Sequence, residues 1–213
     1  MLNTFAEAVE SAGALAARGG RRILGLTGPP GAGKSTLAGQ LAAALGPSLV
    51  ALVGMDGFHI ADRELRRIGL RNRKGAPETF DRAGYAALLA RLRSEPGVVY
   101  APAFDRAIED SIAAAVAVPA DVPLVITEGN YLLLWPELRP HLDEVWYLDP
   151  PAGARLDALI QRHIAFGKTP DQAREWVLGS DERNSALVAA HREGADQIVG
   201  WFDDGTGARD PAV

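Results

Sequence analysis

Residues 28–35 read Gly28-Pro29-Pro30-Gly31-Ala32-Gly33-Lys34-Ser35 and match the pattern G-x-x-x-x-G-K-[ST] at every fixed position. An apolar run at 23–26 precedes them and a helix-like stretch at 36–45 follows. A phosphate-binding loop needs both flanks, because a strand delivers the loop and a helix N-terminus receives the phosphates. The alternative is a chance Gly/Pro turn before a helix. The agreement of motif and flanks favours a loop that binds a nucleoside triphosphate.

This loop predicts specific contacts. Glycines let backbone N–H groups approach phosphate oxygens closely. Lys34 is expected to reach the β- and γ-phosphates, and the Ser35 hydroxyl to ligate Mg²⁺. We expect Lys34 to meet solvent and phosphate rather than the core. The predicted nucleotide contacts are Gly28, Pro29, Gly31, Ala32, Gly33, Lys34, Ser35 and Thr36.

Composition limits the classes of protein. A chain of 213 residues is long enough for one α/β domain and too short for two full ones. The absence of cysteine excludes disulfides, thiolate zinc sites and a cysteine nucleophile. A net charge of −5 argues against a general nucleic-acid or anionic-membrane surface. No apolar segment reaches the roughly 20 residues of a membrane span. We expect a soluble, cytoplasmic protein without nucleic-acid or membrane partners.

The order of apolar and helical patterns predicts the fold. Short apolar runs alternate with helical patterns, which is typical of a parallel sheet flanked by helices in a three-layer P-loop α/β fold. We predict one domain over 1–213, with an inserted substrate hairpin at about 98–118, lid helices at about 160–192 and a loose tail at 203–213. Thr169 and Gln172 predict a capping box. The predicted strands are 23–27, 49–53, 122–127, 145–148 and 198–202, and the predicted helices are 35–45, 82–93, 152–166 and 170–192.

Asp56 follows the second predicted strand, in a loop with Gly54 and Gly57. Open α/β sheets bind ligands at the carboxyl ends of their strands. A carboxylate there can accept the proton of an alcohol that attacks a γ-phosphate. The alternative is an aspartate that only caps the next helix.

Glu128 ends the strand at 122–127, where phosphate-loop enzymes often keep a carboxylate near the metal. It would hold Mg²⁺ through water, or orient the nucleophile. Here a glutamate stands in place of the commoner aspartate, and a purely structural role is the alternative.

Two groups of basic residues stand out in this acidic chain. Such runs are usually solvated surface, although one or two members could clamp an anion. A pair of helices in small-molecule kinases can act as a lid that closes cations onto the phosphates. The first group is Arg63, Arg66, Arg67, Arg71, Arg73 and Lys74; the second is Arg162, His163 and Lys168.

At these residues the chain resembles the uridine kinase, phosphoribulokinase and type I pantothenate kinase family of P-loop kinases. The resemblance spans about residues 20–200. Three stretches carry it: Met55-Asp56-Gly57-Phe58-His59, Arg73-Lys74-Gly75-Ala76-Pro77-Glu78-Thr79-Phe80-Asp81 and Glu128-Gly129-Asn130-Tyr131. Residues 100–106 and 130–135 look most like bacterial kinases labelled nucleoside/nucleotide kinase family proteins or fructose-transport-system kinases.

The resemblance implies roles for particular residues. The family's strand-two aspartate, matched by Asp56, is taken as the catalytic base. The Arg-rich lid of the uridine kinases is thinned here to Arg162, Phe166 and Lys168, which weakens the case for a nucleoside. The predicted catalytic residues are Lys34, Asp56, Glu128 and Arg162, the predicted metal ligands Ser35 and Glu128, and the predicted substrate contacts Asp56, His59, Arg73, Tyr100, Asp105, Arg106 and Asn130.

Three functions compete at this point. The first is an ATP- and Mg²⁺-dependent kinase that phosphorylates a hydroxyl of a small metabolite, by preference a sugar or sugar-like alcohol, with a nucleoside or pantothenate as alternatives. The second is a P-loop switch or motor, but no Asn-Lys-x-Asp or Ser-Gly-Gly-Gln signature is present. The third is a regulatory protein that binds ATP without catalysis. The partners would be ATP and the hydroxyl acceptor, and the chain could form a homodimer.

Overall fold

The computed structural model describes residues 1–200 and residue 202. Its strands, in chain order, are β1 Arg22–Thr27, β2 Val50–Gly54, β3 Val99–Asp105, β4 Asp110–Val118, β5 Leu124–Glu128, β6 Glu144–Leu148 and β7 Gln197–Val199. Its helices are α1 Phe5–Ala16, α2 Lys34–Leu45, α3 Asp62–Arg67, α4 Arg82–Ser94, α5 Ala152–Ala165, α6 Pro170–Trp176 and α7 Glu182–Ala189.

The central sheet has the strand order β2-β5-β1-β6-β7, and every neighbouring pair is parallel. Its strands consist mainly of buried apolar residues, as expected when helices cover both faces. Glu128, at the end of β5, lies in register with Leu26 of β1 and Gly54 of β2. The loops that follow these three strands therefore leave the sheet at the same edge. The predicted parallel α/β fold is confirmed.

Two hydrophobic clusters separate the layers. On one face, Ala12 and Leu15 of α1 and Leu41 of α2 pack with Leu24 and Ile126 of the sheet. On the other face, the buried side of α4 packs on β1, β5 and β6 through Tyr85, Leu88, Leu89, Ile23, Val125 and Val145. None of the helices over residues 1–200 is both long and apolar enough to cross a bilayer.

Strands β3 and β4 form a separate antiparallel hairpin, within the range predicted for an insertion. The hairpin packs against the turn after β2. A Cβ atom on Gly57 would lie 2.5 Å from the carbonyl oxygen of Pro102. Only glycine allows this approach, so the hairpin is held directly over the loop that carries Asp56.

The predicted helix at 170–192 is wrong in one respect, because it is interrupted. A π turn, Val177–Asp181, separates α6 from α7, and a short 3₁₀ turn at Arg192–Gly194 follows α7. The wide turn contains Gly179, which has poor helix propensity. It ends at buried Asp181, whose carboxylate contacts His163 at 2.9 Å.

The predicted capping box of Thr169 and Gln172 is confirmed. The last predicted strand ends at 199 rather than 202, and the predicted loose tail at 203–213 lies outside the described residues.

Candidate active site

The loop at 28–33 joins β1 to α2 and is enclosed by neighbouring backbone. Gly31 and Gly33 adopt positive φ angles of 80° and 83°. A Cβ atom on Gly28 would lie 2.6 Å from the carbonyl oxygen of Leu148 at the end of β6. A Cβ atom on Gly31 would lie 2.6 Å from Cγ of Leu159 on α5. The loop is thus packed between β6 and α5, and its glycines are required by both conformation and space.

Lys34, the first residue of α2, is buried, so the expectation that it meets solvent is wrong. Its ammonium donates hydrogen bonds to the carbonyl oxygens of Gly28 and Pro29, each at 3.0 Å, because the loop curves back over the side chain. Burial lowers the pKa of Lys34 to about 8, against the opposing effect of the Glu128 carboxylate. A phosphate oxygen that entered the loop would replace these neutral carbonyls and would give the Lys34 ammonium a charged partner.

Ser35 and Glu128 meet across the mouth of the loop. The Ser35 hydroxyl donates a hydrogen bond to Oε1 of Glu128 at 3.1 Å. Burial raises the pKa of Glu128, and the neighbouring Asp56 carboxylate raises it further, while Lys34 opposes the shift. The site therefore favours additional positive charge between the two carboxylates.

This donor set fits Mg²⁺. Hydroxyl and carboxylate oxygens are the ligands that this ion prefers, and it commonly takes only one or two from protein and the rest from water and phosphate. Among residues 1–200 and 202, no group of three or more histidine, cysteine or carboxylate side chains could hold a metal by itself. Ser35 and Glu128 are the residues that would hold such an ion.

Asp56 lies in a 3₁₀ turn, Met55–Phe58, directly after β2. Its side chain caps neither this turn nor α3, so the alternative of a helix cap has no support. The carboxylate is half-exposed, and Nη2 of Arg106 on the hairpin lies 3.7 Å from its Oδ2. A Cβ atom on Gly129 would lie 2.5 Å from Cβ of Met55, so the loops after β2 and β5 are in close contact. The structure thus brings Asp56 and Glu128 together at the edge of the sheet.

His59 lies near the same loop, and one of its ring nitrogens is occupied. Nδ1 lies 2.8 Å from the carbonyl oxygen of Asp56, so it is the protonated nitrogen. The ring packs between Phe80 and Phe104, with centroids 4.0 and 4.8 Å away. Burial lowers the pKa of His59, which favours the neutral ring. Only Nε2 remains for a substrate.

The other predicted substrate contacts are dispersed. Asp105 is exposed and its Oδ1 accepts from the backbone N–H of Ala107 at 2.8 Å, so it stabilises the hairpin turn. Tyr100 is 56% exposed. The backbone carbonyl of Asn130 accepts a hydrogen bond from the Thr27 hydroxyl. Of the hairpin candidates, Arg106 is the one in contact with Asp56.

Most of the first basic group is paired with nearby carboxylates. Asp62 contacts Arg66, Arg71 and Lys74, with the last two at 2.6 Å. The predicted substrate contact Arg73 forms an ion pair with Glu78 at 2.6 Å. These pairs support the reading of this segment as mainly structural and surface charge.

Of the second basic group, Arg162 on α5 approaches the site, whereas His163 contacts Asp181 and Lys168 lies over the Trp176 ring. Burial lowers the pKa of Arg162, and the charge of Arg106 lowers it further, while Asp56 and Glu128 oppose the shift. Arg162 and Arg106 therefore face the same space as the two carboxylates. Phe166 beside α5 lies under the Arg106 guanidinium, 5.7 Å from ring centroid to Cζ. This contact joins the hairpin to the predicted lid.

A cavity of about 850 Å³ flanks this centre, between the 72–78 loop and helices α6 and α7. Neither the predicted nucleotide contacts nor Asp56 or Glu128 line it. Asn184 on the cavity wall approaches the carbonyl oxygen of Gly75, which also accepts a hydrogen bond from the Tyr131 hydroxyl at 2.6 Å. Residues on the cavity wall include Arg73, Glu78, Lys168, Trp176 and Arg183.

Arg155 on α5 is a residue that the sequence analysis missed. It is buried, and its guanidinium contacts the carbonyl oxygen of Pro30 in the phosphate loop, the Ser185 hydroxyl and the Glu182 carboxylate. Its position seven residues before Arg162 places both on one face of α5, since seven residues make almost two turns. That spacing is the signal that could have indicated it.

Comparison with models of known protein families gives no match. Among individual proteins, the chain is 38% identical to the uncharacterised protein YggC of Escherichia coli, over 87% of this chain and 80% of that protein. It is 32% identical to a Schizosaccharomyces pombe protein named "Putative uridine kinase C227.14", over 84% and 83% of the two chains. A pantothenate kinase of Rhodococcus erythropolis is 29% identical, and the match covers 57% of its length.

Solved structures also include kinases that are similar to this chain. A "putative fructose transport system kinase" from Silicibacter sp. TM1040 superposes with a TM-score of 0.83 and 38% identity, covering 92% of this chain and 98% of that one. Phosphoribulokinase from Rhodobacter spheroides shares the fold, with a TM-score of 0.58 and 14% identity over 91% and 74% of the two chains. Together with the phosphate loop and the paired carboxylates, the relatives at 32% and 38% identity show that the chain is an ATP-dependent enzyme of the P-loop kinase family to which the uridine kinases belong.

Proposed function

We propose that this kinase transfers the γ-phosphoryl group of ATP to a hydroxyl group of a small metabolite, a sugar or sugar-like alcohol. The observation that carries the proposal is the meeting of the phosphate loop, Glu128 and the half-exposed Asp56 at the carboxyl ends of β1, β5 and β2. A protein that only bound ATP would need the loop but not a half-exposed carboxylate such as Asp56 beside it. A homodimer and a cytoplasmic location remain predictions.

Each residue has one task in the proposed reaction. Lys34 exchanges its loop carbonyls for β- and γ-phosphate oxygens and stabilises their negative charge. Asp56 accepts the proton of the acceptor hydroxyl as the oxygen attacks phosphorus and the bond to ADP breaks. Arg162 and Arg106 supply positive charge on the open side of the transferring group. Ser35 and Glu128 would hold Mg²⁺, which supplies charge neutralisation of the phosphates when bound.

Replacing Glu128 with glutamine is expected to raise the Mg²⁺ concentration that gives half-maximal activity by about tenfold, within the range seen when one metal partner is lost. The same variant should also lose the pH dependence of the Mg²⁺ requirement. Because the pKa of Glu128 is raised, protonation competes with the metal as pH falls, so the wild-type Mg²⁺ requirement should increase towards acidic pH. Magnesium titrations of ADP release at several pH values measure both. An unchanged requirement in Glu128→Gln would contradict this role.

The preference for a sugar rests on three observations. The solved relative at 38% identity carries a fructose-transport name, and Arg162 is the only arginine between positions 162 and 168 of the predicted lid. The space beside Asp56 also offers Arg106 and Nε2 of His59 as hydrogen-bonding groups for several hydroxyls. A nucleoside is the second candidate, because the rings of Phe104 and Phe166 border the same region and a relative is named for uridine.

A direct competition of acceptors tests the proposal. We expect kcat/KM for fructose or another free sugar to exceed that for uridine, cytidine and pantothenate when ADP release is followed under one set of conditions. If a nucleoside exceeds every sugar by more than about tenfold, about 1.4 kcal/mol of transition-state preference, the sugar assignment fails. The enzyme without acceptor serves as the control for ATP hydrolysis.

A further inference from the structure

The contacts of Arg155 join three elements that separate stretches of chain supply. Nη1 lies 3.3 Å from the carbonyl oxygen of Pro30 and 2.9 Å from the Ser185 hydroxyl, and Nη2 bonds to Glu182. The side chain is about 7% exposed. A guanidinium offers donors in a rigid plane, so it can fix the relative positions of several acceptors at once. Here it fixes the phosphate loop to α5, which carries Arg155, and to α7.

Backbone packing strengthens the same junction. A Cβ atom on Gly31 would lie 2.9 Å from the carbonyl oxygen of Arg155 and 2.6 Å from Cγ of Leu159. Helix α5 therefore rests directly on the phosphate loop, without an intervening side chain at Gly31. A shift of the loop on binding phosphate would have to be accommodated by α5 and, through Arg155, by α7.

Arg162 lies on the same face of α5, almost two turns or about 10 Å beyond Arg155. The charges of both arginines lower the pKa of Lys34, so both lie close to the phosphate loop. We propose that Arg155 is a positioning residue that couples the nucleotide-loaded phosphate loop to α7 and holds Arg162 over the transferring phosphate. This inference rests on the nucleotide site and on the role of Arg162 proposed above.

Hydrogen exchange with ATP and Mg²⁺ alone tests the coupling without an acceptor. In the wild type, ATP is expected to slow exchange in the loop at 28–36 and in α7. In Arg155→Met, the loop should still be protected at saturating ATP, whereas the added protection of α7 should be lost. Arg174→Met, which removes an exposed arginine from α6, is the matched control and should behave as the wild type. Equal protection of α7 in Arg155→Met and wild type would overturn the coupling.

Removing the partners gives a second route if Arg155→Met does not fold. The double variant Glu182→Gln, Ser185→Ala keeps the arginine and its contact with Pro30, and it should also lose the ATP-dependent protection of α7.

If ATP fails to protect even the wild-type loop, the proposed nucleotide site is wrong, and the proposed coupling is wrong with it. Loop protection with an unchanged α7 in the wild type would overturn the coupling alone.

A double-mutant cycle, measured as kcat, tests whether Arg155 acts through Arg162. With an acceptor from the competition assay, Arg155→Met should lower kcat by about tenfold, a typical coupling between sites, with a smaller change in the KM for ATP. In an Arg162→Ala background, the same change should have almost no further effect on kcat. Rescue by Arg155→Lys should be partial, since an ammonium cannot reproduce the planar set of donors. If the two substitutions lower kcat independently, so that their fold-changes multiply, the proposal that Arg155 acts through Arg162 is contradicted.

Discussion

Lys34→Met is expected to lower kcat/KM by about 10²- to 10³-fold, the usual cost of removing one charged stabiliser of a transition state. Methionine retains most of the volume and the apolar stem of the lysine. It removes the ammonium that Gly28 and Pro29 hold at 3.0 Å from their carbonyl oxygens. The measurement is ADP formation over a range of ATP concentrations, together with thermal unfolding. Arg91→Met, at an exposed arginine of α4 paired with Glu95, is the control and should leave kcat/KM unchanged.

The pH dependence of nucleotide affinity gives a second readout for Lys34. Its pKa in the free protein is about 8, so the ammonium is charged below this pH and loses its proton above it. The affinity for ATP should therefore fall as pH rises through about 8, because the neutral amine attracts phosphate less. This dependence should be absent in Lys34→Met. A folded Lys34→Met protein with near-wild-type turnover would contradict the role of the loop in phosphoryl transfer.

Asp56→Asn is expected to lower kcat by about 10²-fold or more, or about 2.7 kcal/mol, the effect of losing a general base. The amide keeps the size of the side chain but cannot accept the proton of the acceptor hydroxyl. Its half-exposed ion pair with Arg106 contributes at most about 1 kcal/mol to stability, so the fold should be retained. Steady-state kinetics with the preferred acceptor and calorimetric titration with ATP separate the two effects. Asp171→Asn, at an exposed aspartate of α6, is the matched control.

The opposite kinetic result for Asp56→Asn would assign a different role to Asp56. If ATP affinity collapses in Asp56→Asn while kcat at saturating ATP survives, the carboxylate binds the nucleotide or its metal rather than the acceptor proton. The raised pKa of Glu128 should also move towards its ordinary value in this variant, since the Asp56 charge is one of its causes. Infrared or NMR titration of the Glu128 carboxyl group would detect this change.

Local patterns predicted much of this site because its parts are short and contiguous. The loop at 28–35 requires glycines at adjacent turns and a helix that begins at Lys34, so neighbouring residues specify it almost completely. Asp56 and Glu128 each follow an apolar strand. Parallel strands place their carboxyl ends at one edge, which is why two carboxylates 72 positions apart in sequence could be assigned to one site.

Contacts between distant segments could not be predicted in this way. The burial of Lys34 depends on how the loop closes between β6 and α5, and the exposed position of Tyr100 depends on which face of the hairpin meets the turn after β2. The helix predicted at 170–192 is correct over most of its length, but its π turn could not be predicted for a similar reason. Its periodicity continues through 177–181, whereas the buried contact of Asp181 with His163 accompanies a wider turn.

Local geometry and strand polarity follow from neighbouring residues, so the phosphate loop, the parallel sheet and the two carboxylates at its edge could be predicted from the sequence. The state of Lys34, the approach of Arg106 to Asp56 and the junction at Arg155 are set by packing between distant segments. The contacts of Arg106 and Arg155 join residues that lie 27 to 125 positions apart, and Lys34 is buried where the loop packs between β6 and α5. Spacing along α5 could place Arg155 on the same face as Arg162, but the partners of each arginine are chosen by packing between distant segments, which a local pattern does not specify.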